Sequence, residues 1–349
     1  MATPSHDWGS LSQISGIRVG HMTDAEALTG CTVVLTEGGS VAAACVMGGA
    51  PATLGTDALR PLQNNEELHA VLLAGGSAFG LAAAAGVMRF LEERDVGVRT
   101  RGGRVPIVAG AAIYDLAVGH GRVRSTETWG YEAAVAATDG PFGRGNVGAG
   151  TGATTGKWRG GVPLRGGLGT AALCLAGGIT VAALVVVNAI GDAVNPATGR
   201  FYATDGGFHH SALPTIEDWS AGCGFVRPWE ARDGGAFNTT IGVVATNARL
   251  TKAQVARVAQ MAHLGLARSL RPVHTSGDGD TLFALSVGGK QRRDLGAAIH
   301  GVYADVIGSA AADVVALAVL DAMLMAESIP GYPSVREHWG LTAEVVLPQ

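Results

Sequence analysis

The stretch Gly234-Gly235-Ala236-Phe237-Asn238-Thr239-Thr240-Ile241-Gly242-Val243-Val244-Ala245-Thr246-Asn247 passes from glycine-rich backbone into a β-branched run without a break. Asn and Gly favour turns while Thr, Ile and Val favour strands, so the boundary falls at Asn238-Thr239 and Thr239 opens a strand. A hydroxyl at the mouth of a strand, behind flexible backbone, is also where a chain that cuts itself would keep a nucleophile. These residues alone fit both an ordinary turn and such a site.

Upstream, residues 195–237 carry Pro, Gly and acidic residues with little periodicity. An irregular stretch of that length inside a compact domain is functional or exposed, and it is the candidate processing linker. His209-His210 within it lacks a spaced third ligand, so no metal is expected there. Before it, residues 168–191 hold no charge and are long enough to span a bilayer. Gly177-Gly178 at the centre and the β-branched run that follows predict two buried strands joined by a turn instead. The second of these strands runs into Asn188-Ala189-Ile190-Gly191-Asp192, where Asn188 either caps a turn or donates to an oxyanion.

Downstream, Thr251 is placed to cap a helix with Val255, Val258, Met261, Ala262 and Leu266 on one face. In His274-Thr275-Ser276-Gly277-Asp278-Gly279-Asp280-Thr281-Leu282-Phe283-Ala284-Leu285 a glycine turn presents two carboxylates and enters a strand. Asp278-Gly279-Asp280 lacks the further oxygens and closing Glu of a calcium loop. The two acids are therefore solvated turn residues or functional groups. Residues 295–326 read as apolar helix.

In the first half, Gly16-Ile17-Arg18-Val19-Gly20-His21, Cys31-Thr32-Val33-Val34-Leu35-Thr36 and residues 41–47 read as short strands, the last two joined by a hairpin at Gly38-Gly39, building a sheet edge. Val71-Leu72-Leu73-Ala74 is a further strand, and Gly75-Gly76-Ser77-Ala78-Phe79-Gly80 turns it into an alanine-rich helix over residues 81–94. The spacing is not that of a dinucleotide fingerprint, and no acid closes the next strand, Val105-Pro106-Ile107-Val108-Ala109. Gly148-Ala149-Gly150-Thr151-Gly152-Ala153-Thr154-Thr155-Gly156-Lys157-Trp158 fails as a phosphate loop, since Thr151 stands where its first glycine belongs and Trp158 follows the lysine. No nucleotide cofactor is expected. Lys157 is either a solvated lysine or a cation fixed beside backbone amides.

Hydrophobic residues at 47% against 15% charged describe a folded chain of 349 residues, enough for two average domains or one large one. A net charge of -4 without any basic block argues against nucleic acid as a partner. The 53 glycines follow no collagen-like period and predict tight turns and close backbone contacts. Cys31, Cys45, Cys174 and Cys223 are dispersed, as buried apolar residues of a reducing compartment would be. Met1-Ala2-Thr3-Pro4-Ser5-His6-Asp7-Trp8 has no signal-peptide pattern, so a cytoplasmic protein with no membrane partner is expected.

In this order the segments resemble the P1 family of peptidases, which contains the L-aminopeptidase/D-esterases, β-peptidyl aminopeptidases and nylon-oligomer endo-hydrolases. The likeness runs from Gly16-Ile17-Arg18-Val19-Gly20-His21 to the final helices. It is carried by residues 75–80, 150–157, Val187-Asn188, 238–247 and 278–283. It implies an α/β fold, an αββα sandwich of the N-terminal-nucleophile hydrolase type, and one catalytic domain over residues 1–349. It further implies self-cleavage between Asn238 and Thr239 into chains 1–238 and 239–349, a homo-oligomer (a tetramer of such heterodimers), and no cofactor or metal. The aminopeptidase branches carry a Ser nucleophile and a later Ser-x-Glu; Thr239 with Asp278-Gly279-Asp280 is similar to the nylon-oligomer branch.

By that resemblance Thr239 is the nucleophile, Asp278 and Asp280 are orienting and substrate-facing acids, and Asn188 is the oxyanion donor. Lys157 holds the Thr239 side chain or the substrate, and Tyr114, in Ile113-Tyr114-Asp115, lines the pocket. The chemistry also stands alone. A hydroxyl at neutral pH needs a base, and cleavage before Thr239 frees an α-amine whose reference pKa is about 7.7 to 8.0. The expected activity is hydrolysis of linear amides in short peptides or ω-amino-acid oligomers of the 6-aminohexanoate type. The alternative is an aminopeptidase or D-esterase removing N-terminal residues.

Overall fold

Strand β2 (Thr29–Val46), following β1 (Arg18–Asp24), runs for 18 residues through the interior of a mixed sheet. The expected hairpin at Gly38-Gly39 does not form. The chain bends there, the register against the next long strand shifts between Leu35 and Ser40, and Gly39 takes φ +75°, a conformation that costs glycine no steric strain. Thr36 Oγ1 and Ser40 Oγ both donate to the Leu68 carbonyl, at 2.8 and 3.1 Å. Hydroxyls thus replace the interrupted ladder, and β2 links two halves of the sheet where an edge was expected.

The computed structural model describes residues 7–158, 162–204, 238–287 and 300–341. The remaining sheet strands are β3 (Thr53–Leu54), β4 (Leu68–Ala74), β5 (Val108–Ala112), β6 (Gly167–Leu175), β7 (Ile179–Val187), β8 (Ile241–Thr246) and β9 (Thr281–Val287). Among the described residues the order is β6-β7-β8-β9-β2-β4-β5-β3, with β1 also on β2. The helices are α1 (Ala83–Glu92), α2 (Glu127–Val135), α3 (Lys252–Ser269), α4 (His300–Met325) and α5 (Val335–Trp339).

The two-residue period of the strands sorts side chains into three cores. Val71 and Leu73 of β4 meet Leu184 and Val186 of β7, Val243 of β8 and Phe283 of β9 in a core between the two halves of the sheet. Their neighbours Ala70 and Leu72 face outward, where Val87 and Phe90 of α1 and Ala133 of α2 cover them. On the opposite outer face Ala183, Val185 and Val244 pack on Val255 and Val258 of α3 and Val315 and Val319 of α4. Strands buried on both faces explain the unbroken apolar runs.

Residues 168–191 form the predicted antiparallel pair, β6 and β7, which turns at Gly177 and Gly178. The span Ala304–Met325 within α4, of mean hydropathy 1.9, is long and apolar enough to cross a membrane, yet 72% of its most apolar window is buried. It packs in the core against α3, β6 and β7. Thr251 caps α3 as expected, in a reciprocal box in which Gln254 N–H donates to Thr251 Oγ1 and Thr251 N–H to Gln254 Oε1. This helix is the crossover that lets β8 and β9 run parallel.

Some local expectations are corrected. Val105 belongs to a short separate strand (Gly103–Val105), because Pro106 cannot donate to a ladder, and β5 begins at Val108. Cys174 is exposed rather than buried; Cys31 is buried, and both are free thiols together with Cys45. Ladder pairing of β8 begins at Ile241, two residues after Thr239. The candidate processing linker from residue 205 onward, with Gly234-Gly235-Ala236-Phe237, His209-His210 and Cys223, lies outside the described residues.

Candidate active site

Four strand ends converge at one end of the sheet. Because β7 and β2 run antiparallel to the parallel pair β8 and β9, the exits of β7 and β2 stand beside the entries of β8 and β9. Asn188 follows β7, residues 238–240 precede β8, residues 278–280 precede β9, and residues 47–50 follow β2. Local sequence supplies each end; sheet order brings them together.

The Asn238-Thr239 peptide lies in the seam between β8 and β9, with Asn238 1% and Thr239 3% exposed. Asn238 N–H donates to Gly277 O and Gly279 N–H donates to Asn238 O, each at 3.0 Å. Thr239 Oγ1 donates to the same Asn238 carbonyl, which places the hydroxyl against the bond in front of it. Thr239 N–H donates to Asn188 O at 2.9 Å. The peptide is thus held on both sides, with its carbonyl oxygen accepting a main-chain N–H.

Both aspartates are 1% exposed, so neither is a solvated turn residue. Asp278 accepts from Thr275 Oγ1 at 2.6 Å, Thr275 N at 3.1 Å and Ile190 N at 3.2 Å. Burial, and next the nearby Asp280 charge, push its carboxyl up to about 6. Asp280 accepts from Thr240 N at 2.7 Å through Oδ1, and from His274 N and Nδ1 at 3.0 and 2.8 Å through Oδ2. The Asp278 turn is wrapped by the exit of β2: Ala50 N–H donates to Asp278 O at 2.8 Å and Met47 N–H to Asp280 O at 2.7 Å. A Cβ at Gly48 would stand 2.5 Å from Asp278 O, which only glycine permits.

Lys157 bridges the other side. Its stem is partly exposed while its amine end is enclosed, donating to Asn188 Oδ1 at 3.3 Å and to Asn238 Oδ1. Burial pushes the amine down to about 7, against the opposing pull of the Asp278 and Asp115 charges. The loop that carries it is pinned by Gly156 N–H to Gly191 O at 2.8 Å and Lys157 N–H to Ile190 O at 2.9 Å. Asn188 is fully buried; its Oδ1 also accepts from Thr154 N at 3.0 Å and its Nδ2 donates to Tyr114 O at 3.1 Å. Tyr114 therefore meets this cluster through its main-chain carbonyl. The Gly75-Gly76 turn encloses a carboxylate of the chain itself, Gly76 N–H donating to Asp115 Oδ1 at 2.7 Å. Close packing is the reason for these glycines, since a Cβ at Gly75 would stand 2.3 Å from Asp115 Oδ2.

The model of peptidase family S58 matches residues 9–336. The chain belongs to peptidase family S58. It is a hydrolase acting on amide bonds. This S58 peptidase is 46% identical, over 96% of its length and 94% of the relative's, to an uncharacterized aminopeptidase of Mycobacterium leprae. It is 32% identical to a 6-aminohexanoate-oligomer endohydrolase of Paenarthrobacter ureafaciens, covering 78% of this chain and 73% of that one. Among solved structures, the L-aminopeptidase D-Ala-esterase/amidase of Ochrobactrum anthropi, described as a variant of the Ntn hydrolase fold, superposes with a TM-score of 0.66 at 20% identity. That match covers 98% of this chain and 97% of the other and speaks to the fold.

The S58 peptidase thus brings together Thr239, Asn238, Asp278, Asp280, Asn188 and Lys157, and the Tyr114 carbonyl accepts from the Asn188 amide. Sequence reasoning missed Gly279 as a main-chain donor, His274 and Thr275 as the partners of the two acids, and Gly48 as part of their cradle. The one available signal was His274-Thr275 standing a few residues before the aspartates, within reach of a tight turn.

Proposed function

We propose that this peptidase cuts its own Asn238-Thr239 bond and then uses Thr239 as an N-terminal nucleophile on linear amides. The observation that carries this reading is the contact of Thr239 Oγ1 with the Asn238 carbonyl, whose oxygen also accepts the Gly279 N–H. Oγ1 bonds to the carbonyl carbon, the C–N bond breaks as the Thr239 nitrogen takes a proton, and water hydrolyses the resulting ester. The products are a carboxylate on Asn238 and an α-amine on Thr239. That amine serves as the base for its own hydroxyl.

In this reading Gly279 N–H supports the oxyanion of self-cleavage, and the Asn188 amide supports that of the bound substrate. Lys157 holds Asn238 before scission and substrate after it. Asp280 orients the nucleophile segment, and Asp278 faces the substrate amine. The layering of two helix sets around a folded sheet supports reading the fold as an αββα sandwich of the N-terminal-nucleophile type, and the whole chain as one catalytic domain. The processed chains assemble as a tetramer of heterodimers in the cytoplasm, where Cys31, Cys45 and Cys174 stay reduced.

Intact-mass measurement tests the reading. Wild type is expected as two species, residues 1–238 and 239–349, and Thr239→Ala as one; a Thr239→Ala chain that still divides would overturn it. The substrates are short peptides or ω-amino-acid oligomers, in line with the 6-aminohexanoate relative. The 46% identical relative named an aminopeptidase supports exo-cleavage as a second reading. An exopeptidase rejects N-blocked p-nitroanilides and internal amides, whereas an endo-hydrolase cleaves internal amides of the oligomer.

A further inference from the structure

We propose that His274 is a positioning residue of this hydrolase, clamping Asp280 from side chain and main chain together and thereby setting the Thr240 N–H and the nucleophile beside it. His274 is one of the non-glycine residues with positive φ, at +56°. Histidine enters this region more readily than most residues, though still rarely. The twist turns its main-chain N–H and its imidazole toward one oxygen, Asp280 Oδ2, at 3.0 and 2.8 Å. The proposal assigns the tautomer in which Nδ1–H donates and Asp280 Oδ2 accepts.

The other oxygen of Asp280 takes the Thr240 N–H at 2.7 Å. In the regular part of the parallel pair such an N–H would meet a main-chain carbonyl; here a side chain replaces it. The backbone at Thr239-Thr240 therefore follows the orientation of one carboxylate. That carboxylate is 1% exposed and fixed on its far side by His274 alone among the described residues.

The imidazole is braced in turn. His263 of α3 packs edge-on against it, with ring centroids 4.9 Å apart and an interplanar angle of 66°. The His263 ring is itself tied to Cys45 O at 3.0 Å, at the exit of β2. Burial pushes His263 down to about 4, so it supports His274 as a neutral wall. A helix, two strand ends and a strained loop residue thus converge on the orientation of Asp280.

The inference rests on Thr239 being the nucleophile, and paired variants keep the two apart. His274→Gly keeps the positive φ and the main-chain donor while deleting the ring; His274→Asn restores a side-chain N–H near the Nδ1 position and also tolerates the backbone. With a p-nitroanilide substrate, His274→Gly is expected to lose about ten- to a hundredfold in kcat with little change in KM, and to split correspondingly slowly, as a small misplacement of the nucleophile would cause. His274→Asn is expected to recover most of both. Circular dichroism and thermal melting confirm that the variants compared are folded. A His274→Gly enzyme that splits and turns over like wild type overturns the proposal, and so does a folded His274→Asn enzyme as slow as His274→Gly. Those results leave Thr239 standing if Thr239→Ala stays whole. Splitting of Thr239→Ala would instead remove the parent reading, and this proposal with it.

Discussion

The main-chain nitrogen of Thr239 donates to the main-chain oxygen of Asn188 at 2.9 Å. It is the atom that self-cleavage would turn into an amine, and a rigid strand end holds it before any bond is cut. A base oriented in advance needs no rearrangement when it begins to act, which is where positioned groups gain most of their advantage. The exit of β7 thus supplies both this anchor and, through the Asn188 side chain, the partner of Lys157.

Thr239→Ser is expected to divide and to hydrolyse amides, because it keeps the hydroxyl. Thr239→Val, of nearly the same shape at a site only 3% exposed, is expected to fold, remain a single chain and show no turnover. A denaturing gel and a p-nitroanilide assay read the two results.

Gly279→Ala is expected to slow division sharply. The added Cβ would stand 2.5 Å from Ala50 O and 2.6 Å from Pro51 Cα, so the turn must shift and its N–H leaves the Asn238 carbonyl. Loss of an oxyanion donor costs about a hundred- to a thousandfold in rate. The half-time of appearance of the 1–238 fragment measures it.

Lys157→Met is expected to change the pH dependence of stability, followed in a Thr239→Ala background where no chain divides. Burial lowers the lysine from 10.5 to about 7 in the folded protein. Between those values the unfolded chain holds a proton that the folded chain has released, so the lysine protein gains stability as pH rises across the window, by up to about 1.4 kcal/mol per pH unit. The methionine variant lacks this gain. Relative to its lysine parent it should be more stable at pH 7 than at pH 10 in urea titrations.

Asp278→Asn is expected to destabilise the fold by about 1 to 3 kcal/mol, the usual cost of leaving buried hydrogen-bonding groups unsatisfied. Its carboxylate faces three donors, Ile190 N, Thr275 N and Thr275 Oγ1. An amide presents its own N–H groups to one side of that set. The urea midpoint should fall while the denaturant slope stays constant.

Much of the fold was legible in local chemistry. The turn between β6 and β7 was marked by Gly177-Gly178, the start of α3 by Thr251, and the start of β8, to within two residues, by Asn238-Thr239. Gly38-Gly39 misled because a glycine pair marks a change of backbone direction without stating its size. Here it bends one strand, and the hydroxyls that hold the bend bond to Leu68, far along the chain. His274 was marked only by its place a few residues before the aspartates, since its role depends on a positive φ and on a carboxylate brought to it by a turn.

By itself the sequence determined which residue types stand at each strand end: a threonine behind an asparagine, paired aspartates around a glycine, an amide after a β-branched run, a lysine in a glycine loop. Those are properties of neighbours in the chain, set by propensity and turn chemistry. Tertiary structure alone decided that the four ends meet, that both aspartates are buried, and that Gly279 rather than Asn188 donates to the Asn238 carbonyl. The reason is that sheet order and the α3 crossover, which depend on burying apolar faces over the whole chain, choose which ends become neighbours. Burial then sets the protonation of Lys157 and Asp278.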